Sequence, residues 1–173
     1  MPALNTNAAV TNAINFRIAV REDAENITNI INSAFRKAEE FFIEEDRIDL
    51  KSVLNFLNTG TFILAESEGA VMGCVYVEPG ATHDGHSYLG LLSVDPARQR
   101  SGLGSLLMEA AEEHCRRQGH SFMDIKIVNL REDLPAYYRK RGYVETGTSP
   151  FPADVETKMP CHFIDMSKSL RQP

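Results

Sequence analysis

The segment VDPARQRSGLGSLLM, residues 94–108, decides the fold of this chain, because it joins a strand to an amphipathic helix through a short polar loop. The loop has the spacing Gln-x-x-Gly-x-Gly, formed by Gln99, Gly102 and Gly104. Glycines let the backbone approach a ligand closely, and the first turn of a helix has N–H groups without partners inside the helix. Together with the helix dipole, these groups bind anions, so the segment predicts a phosphate or pyrophosphate ligand.

Nearby charges and the order of the glycines narrow the kind of phosphate site. Arg98 and Arg100 add positive charge beside the loop. A Walker A loop would need Gly-x-x-x-x-Gly-Lys-Ser/Thr, a run that the chain lacks. A dinucleotide fingerprint would need Gly-x-Gly-x-x-Gly in an early βαβ unit. A helix start that binds nothing stays open as an alternative, because short glycine motifs are weak evidence.

Hydrophobic periodicity predicts strands and helices in alternation around this segment. Strands are predicted at residues 15–20, 61–65, 71–77, 88–94, 122–128, 143–148 and 158–166, and helices at residues 24–35, 46–57, 102–118 and 134–141. This order indicates a layered α/β fold. Hairpins near both ends of the chain predict a central mixed β-sheet, rather than an all-parallel one, flanked by helices.

Length and composition indicate one globular domain. The chain has 173 residues, of which 43% are hydrophobic and 24% charged. We expect a flexible leader at residues 1–14, a single domain at residues 15–168 and a tail at residues 169–173. The net charge of −6 argues against a nucleic-acid partner and mildly favours a cationic one, such as an amine.

Several kinds of site and location are disfavoured. Cys74, Cys115 and Cys161 lie far apart, without the spacing of a zinc or redox site, and we expect no metal. No apolar run approaches the roughly 20 residues that span a bilayer, so no membrane partner is expected. Residues 1–15 lack the pattern of a signal peptide. We therefore expect a cytoplasmic protein with reduced thiols.

Two motifs in order resemble the GNAT superfamily of acyl-CoA N-acyltransferases. The first resembles that family's motif A and comprises Val94, Pro96, Gln99, Arg100, Gly102, Leu103, Gly104, Leu106 and Leu107. The second is AYYRKRGY, residues 136–143, which resembles the family pattern apolar-Tyr-x-x-x-Gly-apolar. One helix and one strand separate them, as in the family. The resemblance implies the GNAT fold, acetyl-CoA as co-substrate, and direct acetyl transfer to an amine.

The resemblance also implies which residues bind the co-substrate. The strand before the loop would pair with the pantetheine arm, the loop would hold the pyrophosphate, and Asn129 would contact the pantetheine amides. Asn129 is equally well explained as a turn residue. The implied cofactor-binding residues are Leu92, Ser93, Val94, Gln99, Arg100, Ser101, Gly102, Leu103, Gly104, Ser105, Asn129 and Tyr138.

One tyrosine matches a catalytic position of the family. Tyr138 aligns with the tyrosine near the CoA sulfur, where a phenol can donate a proton or a hydrogen bond to the leaving thiolate. On a helix Tyr137 and Tyr138 point about 100° apart, so we expect only one to face the cofactor. The spacing of four residues to Gly142 favours Tyr138. Packing alone is the other interpretation of both rings.

Fewer sequence features indicate which residue acts as the general base. Glu78, at the end of its strand, is the first candidate, and His86 is the second because its ordinary pKa suits the role. Tyr88 stands where some relatives carry an acidic or histidine base. Transfer without a dedicated protein base is therefore the alternative.

The acceptor site and the enzyme assignment each have an alternative. The acidic run EEFFIEED, residues 39–46, could receive a cationic amine or could simply be a solvated face. The acceptor could be a small amine, an amino acid, a peptide N-terminus, a protein lysine or a hydroxyl. A non-catalytic acyl-CoA-binding regulatory module could use the same fold. The retained Tyr138 and the complete phosphate loop favour the enzyme, and the family alone makes a homodimer plausible.

Overall fold

The computed structural model describes residues 13–80 and 84–172, which form one mixed sheet flanked by helices, as predicted. The strands are β1 (Asn15–Ile18), β2 (Thr61–Ser67), β3 (Ala70–Pro79), β4 (His86–Val94), β5 (Phe122–Val128), β6 (Val144–Pro150) and β7 (His162–Ser169). The α-helices are α1 (Ala24–Glu39), α2 (Leu50–Thr59), α3 (Leu103–Arg117) and α4 (Leu134–Arg139). None of these helices is long and apolar enough to cross a bilayer.

The strand order is β1-β2-β3-β4-β5-β7-β6. Among the described strands, β4 and β5 form the parallel pair, and the other neighbours are antiparallel. The predicted strands other than the last agree with the structure within two residues at each end, as do the predicted helices at 102–118 and 134–141. α1 extends past the predicted stretch to Glu39.

Alternating side chains of the central strands supply two cores. Ile63 of β2 and Val75 of β3 lie in a core that α3 completes. Their neighbours Leu64 and Cys74 lie in the core beneath α1 and α2. Because helices cover both faces, both sets of side chains must be apolar. This burial explains why the two strands read as continuous apolar runs in the sequence.

The prediction for α2 was wrong at its start, because a capping residue lies within the predicted range 46–57. The Asp49 carboxylate accepts a hydrogen bond from the Ser52 N–H at 2.8 Å and begins the helix there. α2 ends before Gly60, where a Cβ would lie 2.5 Å from the Tyr76 hydroxyl. The N-cap and the glycine therefore set the limits of the helix.

The prediction for the last strand was also displaced, from residues 158–166 to His162–Ser169. Lys158 packs against the loop after α1 instead of the sheet. Its backbone N–H donates to the Phe42 carbonyl at 2.8 Å, and its ammonium donates to the Glu40 carbonyl at 2.9 Å. Bonds to the backbone of a distant segment leave no pattern in the local sequence.

The first strand begins at the predicted domain start, whereas the last strand ends within the predicted tail. Most of the predicted leader lies outside the described residues, and β1 begins at Asn15. At the other end, β7 continues to Ser169, and Leu170 is buried with its N–H donating to the Ser121 carbonyl at 2.7 Å. The predicted tail at residues 169–173 thus begins with residues that belong to the fold.

β4 and β5 separate after a short contact. Their register pairs residues 86–88 with residues 122–124 and then ends. β4 stays bound to β3, whereas β5 stays bound to β7. A bulge bends β4 at Leu91, whose φ of 53° is left-handed, a conformation that costs a residue with a side chain roughly 1–2 kcal/mol. The strands therefore open a gap in the middle of the sheet.

A methyl group at Gly73 is expected to destabilise this junction. Gly73 lies opposite Val94, and its added Cβ would approach the Ser93 carbonyl oxygen to 2.8 Å and Leu107 Cδ1 to 3.0 Å. We expect Gly73→Ala to lower the free energy of unfolding by about 1–3 kcal/mol in urea titration, because backbone must shift. Gly147→Ala is the matched control, since its Cβ would meet nothing within 4 Å. Equal stabilities of the two variants would contradict the packing.

Candidate active site

A cleft of about 730 Å³ occupies the gap between β4 and β5. The C-terminal half of α1 lines one end, and α4 with the start of α3 lines the other. The walls between them come from residues 88–92 of β4 and residues 125–128 of β5. The volume lies within the range of roughly 300–1,000 Å³ for small-molecule sites. Because α1 and α3 pack on opposite faces of the sheet, the cleft runs through the sheet from one helix layer towards the other.

The edge of β4 that faces the cleft can pair with an extended ligand. Within the described chain, no strand pairs with β4 on this side beyond Tyr88. An unpaired strand edge presents backbone N–H and C=O groups that hydrogen-bond an added chain. Leu92 and Val94 line the cleft. Ser93 is buried, and its hydroxyl donates to the Leu91 carbonyl at 2.9 Å, so this side chain supports the bulge.

The loop after β4 is held by its own side chains. Asp95 accepts from the Ala97 N–H at 3.0 Å and caps a short 3-10 turn. The Gln99 amide donates to the Val94 carbonyl at 3.3 Å, so it braces the loop. Arg100 has a left-handed φ of 66°. Gln99 and Arg100 both line the cleft.

The start of α3 fits an anion. Gly102, with φ of 83°, is the N-cap residue. The side chain of Leu103 is buried in the core, so this residue can offer a ligand only its backbone. The N–H groups of the first helical turn, including those of Gly104 and Ser105, have no acceptor within the helix. Ser101 is exposed beside them, with its hydroxyl bound to the Arg98 carbonyl.

Arg141, just past the end of α4, adds a charge that the sequence interpretation missed. Its guanidinium donates to the Ser105 hydroxyl and lies 4.4 Å from the centre of the Tyr137 ring. Its Nε is buried and has no hydrogen-bond partner among the described residues. A buried donor beside a helix start is suited to an anionic ligand. Its place one residue before Gly142 in the second motif was the available signal.

Tyr137 and Tyr138 both line the cleft. Which of them faces the cofactor stays a prediction. The two rings meet edge to face, with centroids 5.1 Å apart. Tyr138 is 9% exposed, and burial raises its pKa to about 12. Tyr88, which lines the same cleft, also contributes to this rise.

Tyr88 lies along β4 because Gly90 leaves room for its ring. A Cβ at Gly90 would lie 2.6 Å from the Tyr88 hydroxyl oxygen. Burial also raises the pKa of Tyr88, and Arg47 opposes the rise. Tyr88 and Tyr138 are therefore both neutral donors near pH 7.

The two predicted base candidates differ in their surroundings, and neither is among the described residues that line the cleft. Glu78 accepts a hydrogen bond from the Tyr76 hydroxyl at 3.0 Å and stands opposite Tyr88 in the β3–β4 register. His86 Nδ1 lies 2.8 Å from Asp124 Oδ2. Glu78 on β3 and Asp124, the partner of His86 on β5, both stand opposite Tyr88, so each candidate adjoins the cleft through Tyr88.

Asn129 bonds to β7. Its side-chain oxygen accepts from the His162 N–H at 2.8 Å, and its own N–H donates to the His162 carbonyl at 2.9 Å. These bonds match the turn interpretation of Asn129. The pantetheine contact stays a prediction.

One acid of the run at residues 39–46 enters the cleft. Glu39 is 9% exposed and lines the cleft, while the other four acids of the run are exposed. Its Oε1 has no hydrogen-bond partner among the described residues and lies 3.5 Å from Arg47 Nε. Burial raises the pKa of Glu39, and Arg47 and Arg131 oppose the rise. The sequence pattern did not distinguish Glu39 from its neighbours.

Comparison with known proteins agrees with this geometry. Residues 24–143 match the family described as the acetyltransferase (GNAT) family. The chain belongs to this family. As a GNAT protein, it is 21% identical over 123 residues to the probable N-acetyltransferase camello of Xenopus tropicalis. That match covers 71% of this chain and 56% of camello, so the chain spans just over half of this relative.

Solved structures share the GNAT fold with this chain. YncA from Salmonella typhimurium, solved with its cofactor acetyl-CoA, superposes with a TM-score of 0.71 at 22% identity, covering 94% of this chain and 96% of YncA. The ribosomal-protein-S18-alanine N-acetyltransferase from Escherichia coli gives a TM-score of 0.70 at 14% identity, with coverages of 93% and 96%. At these identities the likeness shows the fold alone.

Absorbance titration of the tyrosines tests the environment of Tyr138. Its pKa of about 12 keeps the phenol protonated at about pH 11, where exposed tyrosines are ionised. We therefore expect Tyr138→Phe and the parent protein to give nearly the same tyrosinate absorbance at that pH while folded. In denaturant the variant should lose one fifth of the signal, since the chain has five tyrosines. Burial also raises the pKa values of Tyr76, Tyr88 and Tyr143, so few tyrosines ionise in the folded parent at that pH. A clearly lower folded signal in the variant than in the parent would therefore show that Tyr138 is exposed.

The raised pKa of Tyr138 also makes the stability of the folded protein depend on pH. The unfolded phenol ionises near pH 10, below the folded value of about 12. The contribution of Tyr138 to stability is therefore complete below about pH 10 and is lost as the pH rises towards 12.

Proposed function

We propose that this GNAT chain is an N-acetyltransferase that moves the acetyl group of acetyl-CoA directly to an amine. The observation that carries the proposal is the cleft through the sheet, which has an anion site at one end and the neutral phenols of Tyr88 and Tyr138 in its middle. Family membership supports the reaction class, and YncA, solved with acetyl-CoA, supports the co-substrate.

Different elements of the chain would hold different parts of acetyl-CoA. The edge of β4 at residues 92–94 would pair with the pantetheine amides, as an added strand pairs with a sheet edge. The first turn of α3 would receive the pyrophosphate on its N–H groups, with Arg100 and Arg141 supplying positive charge. The acetyl thioester would then lie in the middle of the cleft, beside Tyr138.

The transfer forms one bond and breaks another. The amine nitrogen attacks the thioester carbonyl, the N–C bond forms, the C–S bond breaks, and the sulfur leaves as a thiolate. A backbone N–H of β4, that of Val94 in our proposal, polarises the carbonyl oxygen. Holding the two reactants together in the dry cleft lowers the barrier further.

Tyr138 acts on the leaving sulfur through a hydrogen bond. Its pKa of about 12 exceeds the value of about 8.5 that is typical of a thiol. Full proton transfer from this phenol to a thiolate is therefore uphill, whereas a hydrogen bond stabilises the thiolate as charge develops. Water can supply the proton after the bond breaks.

Glu78 is the better of the two base candidates. It stands opposite Tyr88, so it can accept the amine's proton through that phenol or a water molecule. His86 already lies against Asp124. The base assignment, the homodimer and the cytoplasmic location stay predictions.

A non-catalytic acyl-CoA-binding module is the alternative use of this fold. Such a module would need the anion site but not a donor beside the thioester. The presence of Tyr138 in the cleft favours the enzyme.

Blocking the start of α3 tests co-substrate binding. The Cβ of a residue at 104 would lie 3.6 Å from the Tyr137 hydroxyl, at the mouth of the proposed phosphate site. We expect Gly104→Val to weaken acetyl-CoA binding by at least about tenfold in calorimetric titration, because the side chain displaces the phosphate. Leu106→Val, at a 40% exposed position of the same helix, should bind as the parent does. Unchanged affinity in Gly104→Val would remove the loop assignment.

Removing the Tyr138 hydroxyl tests its role in the chemical step. We expect Tyr138→Phe to lower kcat for CoA release by about 10²-fold, because one preorganised donor to the developing charge is lost. The Kd for acetyl-CoA should change little, since the ring remains. An unchanged kcat would reject Tyr138 as the donor but leave the enzyme assignment in place.

A further inference from the structure

Most charged side chains that line the cleft are basic, whereas the chain as a whole is acidic. The chain has a net charge of −6, yet the cleft has five basic side chains and two acidic ones. The basic residues are Lys37, Arg47, Arg100, Lys126 and Arg131, and the acidic ones are Glu39 and Asp133. Of the five, Arg100 lies in the phosphate loop. Four basic and two acidic side chains of the described cleft lining then remain. Three of the four have carboxylate partners: Arg47 with Glu39, Arg131 with Asp133, and Lys126 with Asp165. Basic groups still outnumber acidic ones along the cleft, which favours an acceptor that carries a negative group beside its amine.

Glu39 is an acidic group of the cleft whose hydrogen bonding is incomplete. It is nine-tenths buried, and its Oε1 has no hydrogen-bond partner among the described residues. A buried carboxylate oxygen without a donor is costly unless a ligand supplies one. The group that supplies a donor and a positive charge together is an ammonium.

Arg47 and Arg131 stand on both sides of this carboxylate. Arg47 Nε is 3.5 Å from Glu39 Oε1, and its side chain is 40% exposed. Arg131 is 19% exposed, and its Nε and one terminal nitrogen donate to the two carboxylate oxygens of Asp133 at 3.2 Å. The Asp133 side chain is 67% exposed. Water therefore screens the Arg131–Asp133 pair from one side, and the guanidinium can still receive a carboxylate.

The same two arginines line the cleft together with Glu39, Tyr88 and Tyr138. Arg131 acts electrostatically on Glu39 and on Tyr138, and Arg47 acts on Glu39 and on Tyr88. The acid and both guanidinium groups therefore share the cleft with the tyrosine pair. An acceptor held by all three would place its amine close to the proposed thioester.

We propose that the acceptor is a small zwitterion of the amino-acid class, with its ammonium on Glu39 and its carboxylate on Arg131 and Arg47. The proposal rests on the acetyltransferase function above and narrows its substrate. The ammonium releases one proton before attack, and the remaining steps are those already described. A lysine side chain or a peptide N-terminus has no carboxylate beside its amine, so it would leave the guanidinium charges without a ligand partner.

Binding can be measured apart from turnover. The parent protein is saturated with CoA and titrated in a calorimeter with free L-amino acids, with the carboxamide of each, and with the amine that lacks the carboxyl group. We expect at least one amino acid to bind about tenfold or more tightly than its carboxamide and than its amine, because both lack the group that pairs with arginine.

Three variants test which side chains bind the carboxylate and the ammonium of the acceptor. Arg131→Gln and Arg47→Gln should each bring the affinities of the acid and its carboxamide closer together, while Glu39→Gln should weaken both by a similar factor. Arg36→Gln is the matched control, since Arg36 lies on α1 with a side chain 67% exposed and paired with Asp46. It should bind every probe as the parent does. Thermal midpoints confirm that each variant is folded.

The outcomes separate this proposal from the acetyltransferase function. Equal binding of acids and carboxamides, or binding of no amino acid, would overturn the zwitterion proposal. Acetyl-CoA-dependent release of CoA with other amines would still support the enzyme in that case. A preference for the acid that survives unchanged in both arginine variants would also reject the assigned residues. If amino acids bind as expected but no amine is acetylated, the acetyltransferase function fails instead.

Discussion

The separation of β4 from β5 is the constraint on which the candidate site depends. The parallel contact between residues 86–88 and 122–124 holds the sheet together at one end. Beyond it, β4 pairs only with β3 and β5 pairs only with β7 among the described strands, so β4 and β5 diverge. The bulge at Leu91 also bends β4. A continuous ladder would use the backbone groups of β4 that now face the cleft. It would also close the passage between α1 and α4.

The local sequence predicted those elements whose signals are local. The helix that begins after Gly102 and the strand at residues 122–128 follow from periodicity and from glycine, so they were predicted correctly. The start of α2 at Asp49 and the position of β7 were not. In the second case, bonds between Lys158 and the loop after α1 decide the outcome, and periodicity does not report distant bonds.

In the candidate site, too, sequence analysis indicated residues that are contiguous and missed residues that come from distant segments. The proposed phosphate loop is contiguous in sequence, so its residues could be proposed from spacing. Glu39, Arg47 and Arg131 come from three separate segments, and only packing reveals that they share a cleft. Glu39 also illustrates how packing changes a side chain's properties, since it lies in a run of acids whose other members remain in water. The overall charge predicted a cationic partner, but the local charge of the cleft points to an anionic group on that partner.

A cleft that runs between the two helix layers has a kinetic consequence. If the two reactants occupy different parts of it, as proposed, both can be bound at once and a ternary complex can form. Initial-velocity lines for the two substrates would then intersect rather than run parallel. A single molecule that joins an acceptor to the sulfur of CoA would fill both halves together. Such a bisubstrate compound would gain affinity from the effective concentration of its two parts, without any new contact.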